Sequence, residues 1–359
     1  MRYLYGFTLC NLGATTLNKL QNHFKDFKKA WQAKQEGLRQ AGLRSDTIEK
    51  ILERRSQLNL TSEWEKFQQT GLNFITVNDR EYPRQLKEIK SPPFVLFYRG
   101  NIDLLKQKQL AVVGTRRFSE YGRLVTEKLV PQIAQAGITI TSGMAQGIDS
   151  LAHQATINVG QPTIAVLGAG ILEAEKNAYA RQMMHSILSQ NGLIISEYPP
   201  DYPASRFTFP ARNRIVSGLS LGVLVVEAGE KSGTLITANY ALEQNREIFA
   251  VPGSIFSAQS YGTHRLLKNG AQMVTSANDI LEALNFSPIQ SNIFDQPEIK
   301  FTDSEEEIIY QKLSLDPIVI DKLAKRCKLS VTTVTTKLSL LELKGLARNI
   351  GGGRFIKKI

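Results

Sequence analysis

Six short apolar runs, most of them separated by longer stretches with helical spacing, restrict the fold of this 359-residue chain most strongly. None of the runs contains a charged residue, and they lie at 110–113, 138–141, 163–167, 192–195, 223–226 and 248–251. Continuous apolar runs are typical of strands buried on both faces, and their alternation with helices indicates parallel pairing. The sequence therefore predicts an α/β core with a Rossmann-like, mostly parallel sheet.

Different patterns flank this core. Residues 1–70 show apolar side chains at helical spacing and predict an N-terminal helical domain of the SAM or helix-hairpin-helix type. The Rossmann-like domain is predicted at 71–286, and the aperiodic segment 287–300 is predicted to be a linker. Residues 301–359 show three helical patterns followed by a hairpin around a triple glycine. Three helices and a hairpin are typical of a winged-helix domain.

The positive charge of the chain is concentrated at its two ends. The net charge is +11, and residues 1–70 and 300–359 each carry 12 Lys and Arg against 7 Asp and Glu. Basic ends favour a polyanionic partner, although a solvated basic surface without a partner gives the same counts. The two cysteines form no pair motif, and neither a signal peptide nor a membrane span is visible. We expect a cytoplasmic protein without a membrane partner.

Glycine-rich segments follow five of the apolar runs and begin at Gly114, Gly143, Gly168, Gly229 and Gly253. Glycine lets a strand turn sharply into a helix, and the start of that helix attracts anions. Because the carboxyl ends of parallel strands share one edge of a sheet, we expect the five loops to converge on one crevice. This crevice is a predicted phosphate site.

The predicted phosphate-binding residues lie in four of these loops, on the segment after the third loop, and on a pair of arginines. They are Gly114, Thr115, Arg116, Arg117, Ser142, Gly143, Ala145, Gly147, Gly168, Gly170, Lys176, Arg212, Arg214, Lys231, Ser232, Gly233 and Thr234. Arg116 can form a bidentate pair with a phosphate. Of Arg212 and Arg214, we expect one to reach the crevice and the other to be structural, for example by pairing with Glu227.

Asp149 and His153 lie one helical turn apart, a spacing that fits either a catalytic pair or a structural role. We favour the structural role, in which Asp149 caps a helix or fixes a loop, because no nucleophile accompanies the pair. The sequence contains no complete P-loop or dinucleotide fingerprint, and its histidines lack metal-ligand spacing. We therefore predict no catalytic residues, no cofactor and no metal.

Seven strings in order along the core carry a resemblance to a known family. They are AVVGTRRFSEYG, TSGMAQGIDSLAH, TIAVLGAG, SEYPP, FPARNRIVSGLS, VVEAGEKSGTLITA and FAVPG. This pattern resembles the DprA/Smf family of bacterial DNA-processing proteins. The resemblance implies a homodimer that binds single-stranded DNA and loads the RecA recombinase during natural transformation, without catalysis. It also implies that Arg116 contacts phosphate and that the loops at 142–143 and 168–170 bind the strand.

The stretch 171–179 departs from the family pattern, which places Tyr-Pro and then Asn after the Gly-x-Gly loop. Lys176, Asn177 and Tyr179 are the candidates to replace those residues. A strand binder without sequence preference needs phosphate contacts and stacking surfaces. Tyr179, Phe207 and Phe209 are candidates for stacking, although aromatic residues near a pocket also serve as core.

Two other functions remain open at this stage. The LOG-type nucleotide hydrolases have a related Rossmann core and use a Gly-Gly-x-Gly-Thr-x-x-Glu loop. The matching stretch 231–237 has Thr237 at the position of that glutamate, which argues against hydrolysis. The third function is a nucleotide-sensing regulator whose winged helix binds promoters. The third helix of that domain is rich in threonine, so protein contact or weak duplex binding fits it as well as sequence-specific binding.

Overall fold

The structure, a computed structural model, describes residues 1–287, 301–314 and 316–358. The chain divides into two compact units, Met1–Ile289 and Gln290–Ile359. Apart from Ser287, the predicted linker lies outside the described residues. Within the described ranges, no helix is both long and apolar enough to span a bilayer.

The larger unit begins with six helices. They are α1 (Arg2–Leu9), α2 (Ala14–Phe24), α3 (Phe27–Gln32), α4 (Gln35–Gln40), α5 (Ser45–Gln57) and α6 (Leu60–Gln69). Their apolar faces continue into the core of the sheet that follows. Tyr5 and Phe67 pack with ring centroids 4.6 Å apart, and Phe67 lies 6.0 Å from Phe97 of the sheet. The helical region and the sheet therefore share one hydrophobic cluster.

Nine strands form one sheet in the order β1-β2-β6-β5-β4-β3-β7-β8-β9. They are β1 (Asn73–Thr76), β2 (Val95–Gly100), β3 (Gln109–Val113), β4 (Thr139–Ser142), β5 (Thr163–Leu167), β6 (Leu193–Ser196), β7 (Gly222–Val225), β8 (Glu247–Ala250) and β9 (Gln272–Met273). Strands β1 and β2 are antiparallel, and β2 pairs antiparallel with β6. The remaining seven strands pair in parallel, as the continuous apolar runs predict.

Helices cover the sheet and connect its parallel strands. They are α7 (Arg84–Lys87), α8 (Glu120–Gln135), α9 (Ile148–Ile157), α10 (Ile171–Glu175), α11 (Ala178–Ser189), α12 (Thr208–Leu219), α13 (Thr234–Glu243), α14 (Tyr261–Lys268) and α15 (Ala277–Ala283). Along β3, Ala111 and Val113 belong to one hydrophobic cluster, whereas Leu110 and Val112 belong to the other. Side chains alternate between the two faces of a strand, so both faces of the central sheet are buried.

The smaller unit has a winged-helix arrangement. It contains α16 (Ser304–Lys312), β10 (Ile318–Val319), α17 (Ile320–Cys327), α18 (Val331–Leu343), β11 (Ala347–Asn349) and β12 (Arg354–Lys357), with strand order β10-β12-β11. The second helical pattern of the sequence starts at Ile318, but α17 begins only at Ile320, because Ile318 and Val319 pair with β12 instead. Within the unit, Lys337 of α18 pairs with Asp303, and Lys344 pairs with the fully buried Glu306.

The predicted fold class is confirmed: a mostly parallel sheet follows a helical N-terminal region, and a winged helix ends the chain. The six apolar runs, together with the short β-like runs at 73–77 and 94–98, all form strands of the sheet, with ends shifted by at most two residues. The prediction missed β9, which has only two residues, both exposed, and therefore no apolar run.

Candidate nucleic-acid interface

A crevice of about 680 Å³ opens at the carboxyl edge of the sheet, beside the strands β3, β4 and β7. The order of the strands reverses between β3 and β7, since β4, β5 and β6 lie on one side of β3 and β7, β8 and β9 on the other. Ligands of open α/β sheets bind at such switch points. The loops after β3, β4 and β7 line the crevice together with the first turns of α12.

The charged side chains that line the crevice are mostly cationic. Arg116, Arg117, Arg206 and Arg212 line it, and Asp149 is the one carboxylate among the lining residues. The first three arginines are exposed, whereas Arg212 is 4% exposed. Concentrated positive charge and guanidinium groups with free donors suit phosphate oxygens.

Two aromatic rings lie against these arginines. The Arg116 guanidinium carbon lies 5.8 Å from the ring centroid of Phe209, and that of Arg206 lies 4.8 Å from the ring centroid of Phe207. Phe209 is 37% exposed and Phe207 is 70% exposed, so neither ring is core. Two of the three predicted stacking residues therefore lie beside the cations, where they can stack on bases of a bound strand.

The loop after β7 places the start of α13 at the crevice. Ser232, Gly233 and Thr234 all line the crevice there. A Cβ added to Gly233 would meet nothing within 4 Å, so the backbone is open to a ligand there. The positive end of the α13 dipole adds to the attraction for an anion. Lys231 precedes these residues and is exposed, but it does not line the crevice.

Gly114 and Gly147 are required by the contact between the first two loops. A Cβ on Gly147, whose φ is +119°, would lie 2.5 Å from the Thr115 carbonyl oxygen. A Cβ on Gly114 would lie 2.5 Å from Ile148. The Ile148 N–H donates to the same Thr115 oxygen at 3.3 Å. These glycines thus hold the arginine-bearing loop against the start of α9, and Gly147 itself does not line the crevice.

Gly143, at the floor of the crevice, is held from both sides. Its N–H donates to the Asp149 carboxylate at 3.2 Å, and its carbonyl accepts from the Arg212 guanidinium. Arg212 also donates to the Val166 carbonyl, and a Cβ on Gly143 would overlap its guanidinium. Burial raises the pKa of Asp149, while the charge of Arg212 and backbone N–H groups at Ala145, Gly114 and Gly143 oppose the rise. Arg212 therefore lines the crevice, and its hydrogen bonds hold the backbone that forms the crevice floor.

The structural interpretation of Asp149 and His153 agrees with these contacts, since Asp149 fixes two loops. His153 is fully buried, and its Nδ1 lies 2.8 Å from the Thr163 hydroxyl. Burial, with a contribution from Arg212, lowers the pKa of His153 to about 3. A neutral, buried histidine at that position is unsuited to proton exchange with a ligand. Among the described residues, no cluster of three or more His, Cys, Asp or Glu could hold a metal.

The predicted partner of the second arginine needs correction. Arg214 pairs with Glu197 at 2.5 Å, not with Glu227, and both side chains are largely buried. Glu227 is occupied elsewhere, since its carboxylate accepts from the Ser119 N–H at 2.8 Å and from the Ser119 hydroxyl. Arg214 does not line the crevice, so it is the structural member of the arginine pair.

The prediction that all five glycine loops line one crevice also needs correction, because the loop after β5 does not line it and the segment after β8 reaches it only at Gln259. A Cβ on Gly168 would lie 2.8 Å from the Phe209 ring, so this glycine lies directly beneath that ring. Gly170 packs against the Pro199 and Pro200 carbonyls, and its N–H donates to Tyr202. Lys176, after α10, pairs with Glu173 at 2.5 Å.

Ser142 was also predicted to bind phosphate, but it does not line the crevice. It is fully buried at the end of β4, and its hydroxyl donates to the Val112 carbonyl at 2.6 Å. Gly143 and Ala145, on the same loop, do line the crevice. The Ser142 side chain therefore connects β4 to β3 and has a structural role.

The polar lining residues that the predicted site lacked include Arg206, Thr237 and Gln259. Arg206 had a usable signal, because a cation directly before the aromatic residues Phe207 and Phe209 is the combination that strand-binding surfaces use. Thr237 and Gln259 carry no such signal and reach the crevice only through the packing of α13 and the segment after β8. Thr237, which occupies the position of the LOG-type glutamate, does line the crevice.

Comparison with known proteins places this geometry in a family. The model of the DNA recombination-mediator protein A family matches residues 73–285, and that of the DprA winged helix domain matches residues 295–353. Protein Smf of Synechocystis is 34% identical over 97% of this chain and 96% of its own length. DNA processing protein DprA of Bacillus subtilis is 42% identical over 61% of this chain and 73% of its own.

Two solved structures share the fold. DNA processing protein A of Streptococcus pneumoniae matches with a TM-score of 0.70 at 35% identity, over 80% of this chain and 98% of that one. The Helicobacter pylori protein, described for its single-stranded DNA binding mode, matches with a TM-score of 0.54 at 29% identity, over 60% and 98%. Sequence, fold and both domain models agree, and the chain belongs to the DprA/Smf family of DNA-processing proteins.

Proposed function

We propose that this protein binds single-stranded DNA in the crevice without sequence preference and delivers it to the RecA recombinase during natural transformation. The observation that carries the DNA-binding part is the set of exposed guanidinium groups at Arg116, Arg117 and Arg206, two of them lying against exposed rings. Arginines hold phosphates, rings stack on any base, and neither contact distinguishes one base from another.

A single strand suits the crevice better than a duplex does. Phe207 and Phe209 can stack only on bases whose faces are free, and duplex bases are already stacked. The Helicobacter pylori relative, whose structure is described for its single-stranded DNA binding mode, supports the same ligand. A nucleotide-hydrolysing function is the weaker alternative, since the one carboxylate that lines the crevice, Asp149, is occupied by backbone N–H groups.

Fluorescence anisotropy with labelled oligonucleotides tests the ligand directly. We expect the full-length protein to bind single-stranded oligomers of mixed sequence and homopolymers with similar affinity, and to bind duplex of the same length more weakly. Arg206→Ala should weaken binding to every single strand by a similar factor, because a phosphate contact is independent of sequence. Equal affinity for duplex and single strand would overturn the proposal.

The delivery step and the homodimer rest on the family. The measurement for the first is the rate at which RecA filaments assemble on single-stranded DNA, with and without this protein. For self-association, the exposed apolar residues that follow β8 are the candidate surface, with Ile255, Phe256 and Tyr261 exposed by 76%, 94% and 60%. Exposed apolar clusters of this kind mark interaction surfaces. Sedimentation of wild type and Phe256→Glu tests the assignment, which fails if the variant associates as wild type does.

A further inference from the structure

A second concave surface, the α9–α11 groove, lies beside the crevice. It has a volume of about 310 Å³, near the lower end of the range for small-molecule sites. Phe118, Gln154, Tyr179, Gln182 and Met183 line it, together with other residues of α9 and α11. None of its lining residues is charged, so the groove is not built for a phosphate.

The walls of the groove combine aromatic rings with amides. Phe118 is 37% exposed and Tyr179 is 42% exposed, which leaves part of each ring open to a ligand. The Gln154 amide donates to Asn158 at 2.7 Å, while the exposed Gln182 offers both a donor and an acceptor. A flat, uncharged ligand with polar edges matches such walls, because rings stack on its faces and amides bond to its edges.

The groove adjoins the crevice at the loop after β3. Arg116 and Arg117 line the crevice, and the next residue, Phe118, lines the groove. Gly147 lines the groove as well, and a Cβ there would lie 2.7 Å from the Arg116 Cα. A strand held at Arg116 and Arg117 therefore passes within one residue of the groove.

We propose that the α9–α11 groove accepts one unstacked nucleobase of the strand whose phosphates the crevice holds, between Phe118 and Tyr179. The inference rests on the proposed function, because the strand must first be held at Arg116. The neutral walls exclude the backbone and admit the base, so the loop 114–118 separates a phosphate site from a base site. This subsite adds affinity that does not depend on salt.

Anisotropy titrations of the full-length protein test the subsite with thymidine oligomers of increasing length across a salt series. Phe118→Ala and Tyr179→Ala should each weaken binding of the longer oligomers by about 5-fold to 100-fold, the range for loss of one base–aromatic stack. The slope of log affinity against log salt should stay unchanged, because no phosphate contact is lost. The variants Phe118→Tyr and Tyr179→Phe should retain affinity, and Leu242→Ala, at an exposed site on α13, is the matched control.

Oligomers with a single abasic position complete the test. One position should exist at which removing the base weakens wild type but leaves Phe118→Ala and Tyr179→Ala unaffected. If both alanine variants bind as wild type does while Arg116→Ala binds weakly, the crevice stands and the base subsite is wrong. If wild type shows no preference for single strands, or Arg116→Ala binds normally, the proposed function and the subsite fail together.

Discussion

Asp149 and Arg212 hold the two sides of one residue: the carboxylate accepts from the Gly143 N–H, and the guanidinium donates to the Gly143 carbonyl. Arg212 also reaches the Val166 carbonyl of β5, and Asp149 accepts from the backbone at Gly114. One buried pair therefore connects the loops after β3 and β4 to the neighbouring strand. We infer that this support, more than the loop glycines, sets the shape of the crevice.

Gly143→Ala should lower the free energy of unfolding by about 1–3 kcal/mol, the cost of overpacking a filled interior. The added Cβ would overlap the Arg212 guanidinium and would displace it from the two carbonyls to which it donates. Gly233→Ala is the control in the same crevice, because its Cβ would meet nothing within 4 Å. Urea unfolding of both variants is the measurement, and equal stabilities would contradict the packing account.

Asp149→Asn should destabilise the protein by about 3 kcal/mol, because it leaves Arg212 as a buried charge without compensation. Combining it with Arg212→Met should restore part of the loss, since the double variant buries no charge. A double-mutant cycle on unfolding free energies gives the coupling. Additive effects of the two substitutions would show that the residues do not act as a unit.

His153 should make stability depend on pH. Its pKa is lowered from 6.5 to about 3 by burial, so the unfolded chain binds a proton between these values and the folded chain does not. Stability should therefore fall as pH drops below 6.5, with a slope of up to about 1.4 kcal/mol per pH unit from this group. His153→Gln should flatten that part of the profile, whereas His185→Gln, on the exposed side of α11, should not. An unchanged profile in His153→Gln would be incompatible with a buried neutral imidazole.

In the winged helix, Lys344→Met should cost about 3 kcal/mol, because it removes the 2.8 Å ion pair of the fully buried Glu306. Lys337→Met breaks a pair in which Asp303 is 37% exposed, and exposed ion pairs contribute little to stability. Hydrogen exchange of residues 301–358 in the full chain distinguishes the two. Similar exchange in both variants would mean that Glu306 is satisfied without Lys344.

The fold was accessible from sequence where burial is uniform along a strand. The run at 163–167 matches β5 at both ends, because every residue of that strand is buried. Strand β9 was missed because Met273 is 56% exposed and its pairing depends on β8. Such a short edge strand forms only by pairing with its neighbour, and its sequence has no apolar pattern that would predict it.

The candidate site was accessible only in part. The cations Arg116 and Arg117 could be placed, because strand, glycine and arginine in that order bring them to the sheet edge. Gly147 and Gly168 could not be distinguished from ligand-facing glycines. Both positions require glycine because another part of the chain packs closely against them, which the local sequence does not show. The burial of Ser142 could not be predicted either, because the partner of its hydroxyl lies on β3, 30 residues earlier in the chain.

We propose that Arg116 holds a phosphate of single-stranded DNA in the crevice. The most direct measurement is the slope of log affinity against log salt for wild type, Arg116→Ala and the exposed control Arg265→Ala. The account predicts weaker binding and a slope smaller by about 0.7 in Arg116→Ala, the contribution of one phosphate contact on a single strand, with Arg265→Ala unchanged. Equal slopes and affinities for Arg116→Ala and wild type would contradict the account.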